Sequence, residues 1–330
     1  MGDLKDALDS FQKAAHMRSN VLGDDKDTAY SYYMLSFTQH LMGDLTGALK
    51  SVQVSLRLRK ELLGDQIGTA DSYHQQGAIY YAMGDHKSAF EAFQKAADIN
   101  LNLRRDHILT AHSYHSLSVK KDEMGDLKGA LDSLQRAANM RSNLLGDHKD
   151  TASSYHSLGV TQRAMGDLKG ALDSLQKAAN MRSNVLGDHE DTASSYHELG
   201  LVQHQMGDLK GALDSFQNAV HMRSNVHGDH ENTACSYHSL GVTQRAMGDL
   251  KGALDSLQRA VNMRSNVLGD HEDTARSYHQ LGVVQHGMGD LKGALESLQQ
   301  ALDMRVKLLG DHGDTTSSLN ELRAVRNKLP

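Results

Sequence analysis

The tripeptide Met-Gly-Asp begins at Met1, Met42, Met83, Met124, Met165, Met206, Met247 and Met288, a spacing of 41 residues each time. Nothing has been inserted or deleted between the first copy and the last. A fixed period of this length marks a solenoid, in which each unit buries its apolar face only against its neighbours. The 330 residues, which by length alone could form two or three globular domains, are therefore read as one array over residues 1–330. Its turns fall at glycine, because 29 glycines stand against one proline, Pro330, and no proline-rich hinge exists.

The period alone leaves HEAT, armadillo and extended tetratricopeptide units open, and positions within the unit separate them. From Asp150 to Ala164, Ala152, Tyr155, Leu158 and Gly159 recur at helical spacing on one face, which predicts a first helix, A. Gly166 ends it, and Asp167 is suited to cap the next helix with its carboxylate. A second helix, B, is predicted from Leu168 to Val185, with Ala171, Leu172, Leu175, Ala178, Ala179 and Met181 as its apolar stripe. At the usual rise it makes roughly five turns. Gly159 and Ala171 leave no bulk where the helices approach, while Tyr155 and Leu175 fill the space between them. Gly187 then ends helix B and Asp191 is offered as the cap of the next helix A, so the unit is an all-α helical hairpin.

The placement of Tyr155, Leu158, Gly159, Gly166, Leu168, Ala171, Leu175 and Ala178 resembles the tetratricopeptide (TPR) signature, with Gln162 where an aromatic residue is usual. It recurs with Tyr196, Leu199, Gly200 and Ala212, and with Tyr237, Leu240, Gly241 and Ala253. The long link and the phrase Thr-Ala-Ser-Ser-Tyr-His-Ser-Leu-Gly resemble the extended repeats of kinesin light chains, nephrocystin and the sensor arrays of some NB-ARC ATPases. That subclass usually has a proline in the link, where this chain has Lys149, Glu190, Glu231 and Glu272. The resemblance implies a right-handed superhelical solenoid: an orphan helix B over 2–22, about seven hairpins over 27–309, and a capping helix over 314–328, where Arg323 replaces the packing glycine. The first helix carries Ala7, Leu8, Phe11, Ala14 and Ala15 without a preceding helix A. It is expected to mark a fragment, or a start at an internal methionine, and to offer a route to self-association.

The function the resemblance implies is a non-catalytic scaffold that binds peptide segments or partner proteins in a concave groove lined by helix A. The residue after the tyrosine, and those four and seven further on, should face that groove. The first of these is His74, His115, His156, His197, His238 and His279, with Tyr33 before them. Such a ladder can hydrogen-bond an extended peptide and respond to protonation near pH 6 to 7; tandem copying of a solvated residue gives the same pattern. The third position alternates Arg163, His204, Arg245 and His286 after the acids Asp122 and Glu123, which suggests an acidic or phosphorylated ligand toward the C-terminal half, or else a solvated face. Units beginning at Met165 and Met247 agree at 35 of 41 positions, which recent duplication explains more simply than a groove of repeating chemistry does. The alternative implied functions are the C-terminal sensor portion of a larger NB-ARC-type signalling ATPase and a kinesin-light-chain-like cargo adaptor.

Several chemistries find no residues to carry them. The 41 acidic and 35 basic side chains are interspersed, so no polybasic block invites nucleic acid. No secretory signal or membrane-length apolar run is present, which points to the cytoplasm without membrane insertion. The link histidines His148, His189, His230, His271 and His312 lack a second ligand at zinc spacing, so no metal is expected. Neither a phosphate loop nor a nucleophile elbow occurs, and Cys235 stands where Ser154 and Ser195 stand in other units; no cofactor and no enzyme activity are expected. Gly129, Gly170, Gly211, Gly252 and Gly293, in the first turn of helix B, are read as permitting close approach.

Overall fold

Each unit folds into two helices because two runs of helically spaced apolar residues are separated by a glycine that no helix continues through. The computed structural model describes residues 2–103, 108–123, 125–228 and 230–328; Met1, Met124 and the side chain of Glu123 lie outside the described residues. The A helices are α2 (Lys26–Leu41), α4 (Ile67–Ala82), α6 (Ile108–Glu123), α8 (Lys149–Ala164), α10 (Glu190–Gln205), α12 (Glu231–Ala246), α14 (Glu272–Gly287) and α16 (Gly313–Arg326). The B helices are α1 (Gly2–Val21), α3 (Leu45–Leu63), α5 (His86–Asn102), α7 (Leu127–Leu145), α9 (Leu168–Leu186), α11 (Leu209–His227), α13 (Leu250–Val267) and α15 (Leu291–Leu309). Among the described residues there is no strand.

The chain forms two compact units, Met1–Thr161 and Gln162–Pro330. In the first, α2 with α3, α4 with α5, and α6 with α7 form hairpins that stack in order behind α1. In the second, α10 with α11, α12 with α13, and α14 with α15 do the same, with α9 packed on α10 and α16 on α15.

Glycine and aspartate set the elbows. Gly166 leaves helix A with φ +83°, a left-handed conformation that a Cβ disfavours. Asp167 then caps α9, its Oδ1 accepting the Gly170 N–H at 2.9 Å. A methyl on Gly170 would lie 2.2 Å from Asp167 Oδ2 and 2.6 Å from Gln162 Nε2, so the missing side chain is what lets the cap close.

At the other junction the structure corrects the sequence reading. Asp191 does not cap α10; the helix starts one residue earlier, at Glu190, and the cap is His189, whose Nδ1 accepts the Asp191 N–H at 3.1 Å. Asp191 instead sits in the first turn, where its charge favours the helix dipole. His148, His230, His271 and His312 repeat the arrangement at 3.2 Å, and Asp25 takes the role in α2. The link histidines therefore have a structural task.

Packing between A and B depends on small residues. A methyl on Gly241 would fall 2.6 Å from Leu257 Cγ, and one on Gly200 would fall 2.8 Å from the Phe216 ring. Ala253, Leu257 and Val261 of α13 pack with Leu281 and Val284 of α14 in a core closed to water. Gln162 occupies the usual aromatic position because it has a polar partner: Ser174 Oγ donates to its Oε1 at 2.7 Å. Gln39 with Ser51, Gln203 with Ser215, Gln244 with Ser256 and Gln285 with Ser297 repeat the pair at 2.7 Å. The second hairpin changes both members, to Tyr80 and Ala92, restoring the aromatic where the serine is lost.

Candidate functional site

Successive A helices lie directly against one another, α2 on α4 on α6 in the first unit and α10 on α12 on α14 on α16 in the second. A buried arginine in α3, α7, α9, α11, α13 and α15 ties each of these B helices to the A helix that follows it. Arg264 of α13, 3% exposed, sends Nη1–H to the Asp273 carbonyl at 2.9 Å and to Ser277 Oγ at 2.7 Å. Arg141, Arg182, Arg223 and Arg305 make the same pair of bonds to the following A helix, through Ser154, Ser195, Ser236 and Ser318. Arg59 does so with the Gly68 carbonyl and Ser72. The second hairpin has Asn100 at this place.

The histidine ladder completes these networks from the other side. His238 Nδ1 lies 3.1 Å from Ser277 Oγ, His279 Nδ1 3.1 Å from Ser318 Oγ, His197 Nδ1 3.2 Å from Ser236 Oγ and His74 Nδ1 2.8 Å from Ser113 Oγ. Where the serine oxygen already accepts from a guanidinium, its hydroxyl is set to donate to Nδ1, which calls for a neutral ring protonated at Nε2. Burial first, and nearby arginine charge second, hold His197 and His238 down to about 3 and His279 to about 4. His74 and His115 are held down to about 4, also chiefly by burial. The expectation that the ladder titrates near pH 6 to 7 is therefore overturned for these five rings: all five are desolvated, and His74, His197, His238 and His279 lie against a serine of the next A helix.

The surface left open between A helices is a series of recesses. One of 190 Å³ is lined by Ser118, Val119, Asp122, His156, Ser157 and Val160. Another, of 360 Å³, lies among His40, Ala78, Tyr81, Phe93, His115 and Val119. In the second unit a recess of 250 Å³ is bounded by Leu201, His204, Phe216, His238, Ser239 and Val242. The histidine edge, the residue after it and the residue four further on thus line each recess, with an aromatic ring of helix B as floor in two of them.

Three residues further along helix A, Arg163, His204, Arg245 and His286 differ in what they meet. Arg163 makes an ion pair with Glu198 at 3.0 Å, and His286 Nδ1 lies 3.9 Å from Glu321. His204 Nδ1 is 3.1 Å from Thr243 Oγ1. The basic character read from the sequence is thereby narrowed: two of these four side chains, Arg163 and His286, face an acid. Among the described residues Arg245 has no hydrogen-bond or ion-pair partner, and its Nε is buried and unsatisfied.

Sequence reasoning missed the arginine brace, the glutamine–serine pair and the histidine caps. One signal was available: an arginine stands at the same place of helix B in seven of the eight units, at 18, 59, 141, 182, 223, 264 and 305, inside the apolar stripe where a merely solvated cation has no reason to be. Among the described residues no group of three or more His, Cys, Asp or Glu side chains could hold a metal ion, and no helix is long and apolar enough to cross a membrane. Cys235 is half-buried, its Sγ 3.8 Å from His197 Nε2, and burial pushes its thiol up.

The family profile described as Tetratricopeptide repeat matches residues 68–143, 123–184, 150–224, 191–266 and 253–306, more than half of the chain. No curated protein matches it in sequence. Among solved structures it is similar to a Podospora anserina kinesin light chain protein with nearly identical TPR-like repeats, at TM-score 0.54 and 21% identity over 62% of this chain and 99% of that one. It is similar to BtubC from P. vanneervenii at TM-score 0.56 and 18% identity, over 76% of this chain and 94% of that one. A signal transduction ATPase with a tetratricopeptide repeat sensor from Pyrococcus horikoshii gives TM-score 0.67 at 15% identity, over 94% of this chain and 46% of the other. At these identities the likeness is one of fold, an all-α solenoid.

Proposed function

Because this chain belongs to the tetratricopeptide repeat family, we propose that it is a non-catalytic cytoplasmic scaffold that receives extended peptide segments of partner proteins along the inner surfaces of its A helices. The observation that carries this reading is the recurrence of recesses of 190 to 360 Å³ between consecutive A helices, each edged by a histidine and a small or β-branched residue. Small-molecule sites usually run to about 300–1,000 Å³; the recesses of 190 and 250 Å³ fall below that range and the one of 360 Å³ at its lower end, sizes that suit single side chains of a longer ligand. A row of side-chain-sized recesses at the repeat spacing is what an extended chain needs for specificity. The residues around them are tied into inter-helix hydrogen bonds, so the surface is held in shape before a ligand arrives, which lowers the ordering cost of binding.

The test is selection of peptides from a displayed random library, followed by titration of the winners against Val242→Asp. Val242 lines a recess without taking part in the serine–histidine network, so its replacement alters the groove and spares the brace. Loss of affinity of at least about tenfold, or roughly 1.4 kcal/mol, supports the reading, and unchanged affinity sinks it. The alternative, a sensor portion of a larger signalling ATPase, has in its favour the P. horikoshii likeness across 94% of this chain. A longer transcript encoding a phosphate loop upstream would establish it.

A further inference from the structure

Resting on that peptide-binding reading, we infer that Arg245 is the groove position that receives an anionic side chain, a carboxylate or a phosphate, and that its twin Arg163 is not. Both arginines are the tenth residue of the same eleven-residue phrase, Ser-Tyr-His-Ser-Leu-Gly-Val-Thr-Gln-Arg-Ala, at 154–164 and 236–246, so their local sequence is a copy. What differs is the residue they meet on the next A helix. Arg163 of α8 meets Glu198 of α10 in a half-buried ion pair at 3.0 Å. The residue equivalent to Glu198 on α14 is Gln280, and it is one of only six differences between the 41-residue units that begin at Met165 and Met247.

The charge of Arg245 reaches His279, the neighbour of Gln280, which places the guanidinium on that side of α12. Among the described residues nothing neutralises it, and both Arg245 Nε and Gln280 Oε1 are buried without a partner. A guanidinium stays charged at any physiological pH. Left half-buried with no counter-ion, it favours an anion supplied from outside, with which it can form charge-assisted hydrogen bonds. Gln280, unpaired at its oxygen, can turn its amide to present N–H donors to the same anion. The neighbouring gap between α10 and α12 holds the recess of Leu201, Phe216 and Val242. Adjacent helices pack roughly 10 Å apart, about three residues of extended chain, so a peptide with an apolar residue about three positions from an acidic one matches both features.

The experiment uses the full chain and three fluorescein-labelled pools of random nonapeptides, identical except for a fixed central aspartate, phosphoserine or asparagine, with binding read by fluorescence anisotropy. The expected result is that the aspartate or phosphoserine pool binds at least about tenfold more tightly than the asparagine pool; comparison of the first two identifies the anion. Arg245→Gln and Gln280→Glu should each abolish that preference, whereas Arg163→Gln should leave it intact. Glu198→Gln, which gives Arg163 the surroundings of Arg245, should create a second anion-preferring site. The variants at 198 and 280 each install the residue the sister unit already carries, so the fold tolerates them. Equal binding of all pools overturns the inference and leaves the peptide reading standing, as does a preference that survives Gln280→Glu. Failure of every pool to bind overturns both.

Discussion

Ser277 Oγ accepts a hydrogen bond from Arg264 at 2.7 Å and stands 3.1 Å from His238 Nδ1, so one hydroxyl joins a B helix, the A helix that follows it and the A helix before it. The three side chains come from α13, α14 and α12, and the arrangement recurs along the chain. Because each repeat touches only its neighbours, such seams carry the stability of the array.

Removing the guanidinium should therefore open a seam. Arg264→Met leaves the Asp273 carbonyl and Ser277 without their donor in a region closed to water. The expected cost is about 2–4 kcal/mol, within the range for breaking buried charge-assisted bonds, measured as a lowered midpoint of urea unfolding. Met is matched in length, so a loss under about 0.5 kcal/mol would show that the hydrogen bonds contribute little.

The depressed histidines make stability depend on pH in a defined direction. His197, His238 and His279 stay neutral in the folded chain down to about 3 to 4 but take up a proton near their ordinary value of 6.5 when unfolded. The unfolded state then binds more protons, so stability is complete above pH 6.5 and falls as the pH drops toward 4. Each ring contributes a slope of at most about 1.4 kcal/mol per pH unit. Thermal melts should show Tm falling between pH 7.5 and 5.5, where carboxylates remain ionised, and His197→Asn with His238→Asn should flatten that fall.

Glycine positions that look alike in sequence should behave differently. Gly241→Ala drives a methyl into Leu257 and within 3.2 Å of the Ala253 carbonyl, at an expected cost of about 1–3 kcal/mol. Gly313→Ala meets nothing within 4 Å in the first turn of α16 and should be neutral or stabilising by up to about 1 kcal/mol. Paired chemical denaturation curves check both.

The polar pair inside each hairpin predicts a coupling. Gln244→Tyr alone crowds Ser256, and Ser256→Ala alone leaves the Gln244 carbonyl oxygen unpaired. Together they recreate the second hairpin, which carries Tyr80 and Ala92. A double-mutant cycle should give an interaction energy of at least about 1 kcal/mol in favour of the double variant.

The fold was legible because its determinants are local: the 41-residue period, the apolar spacing of each helix, Gly166 and Gly187 at the turns and Asp167 at the cap all act within a few residues. The site was legible only in part. Nothing in the sequence announces that the partner of His238 lies 39 residues ahead in the next repeat, or that Glu198 neutralises Arg163, because those contacts exist only once hairpins stack. The link histidines misled for a subtler reason. Asp191 is the better cap by residue type, yet the helix begins two residues too early for it, and an imidazole supplies the acceptor instead.

Ligands that lie along the A helices should come within reach of a photo-crosslinking amino acid placed at position 242, in the recess between α10 and α12, and not of one placed at position 255, on the exposed face of α13, when a peptide selected for binding is offered. Crosslinks from position 242 and none from position 255 are predicted. Crosslinks confined to position 255 would contradict the account and place recognition on the B helices.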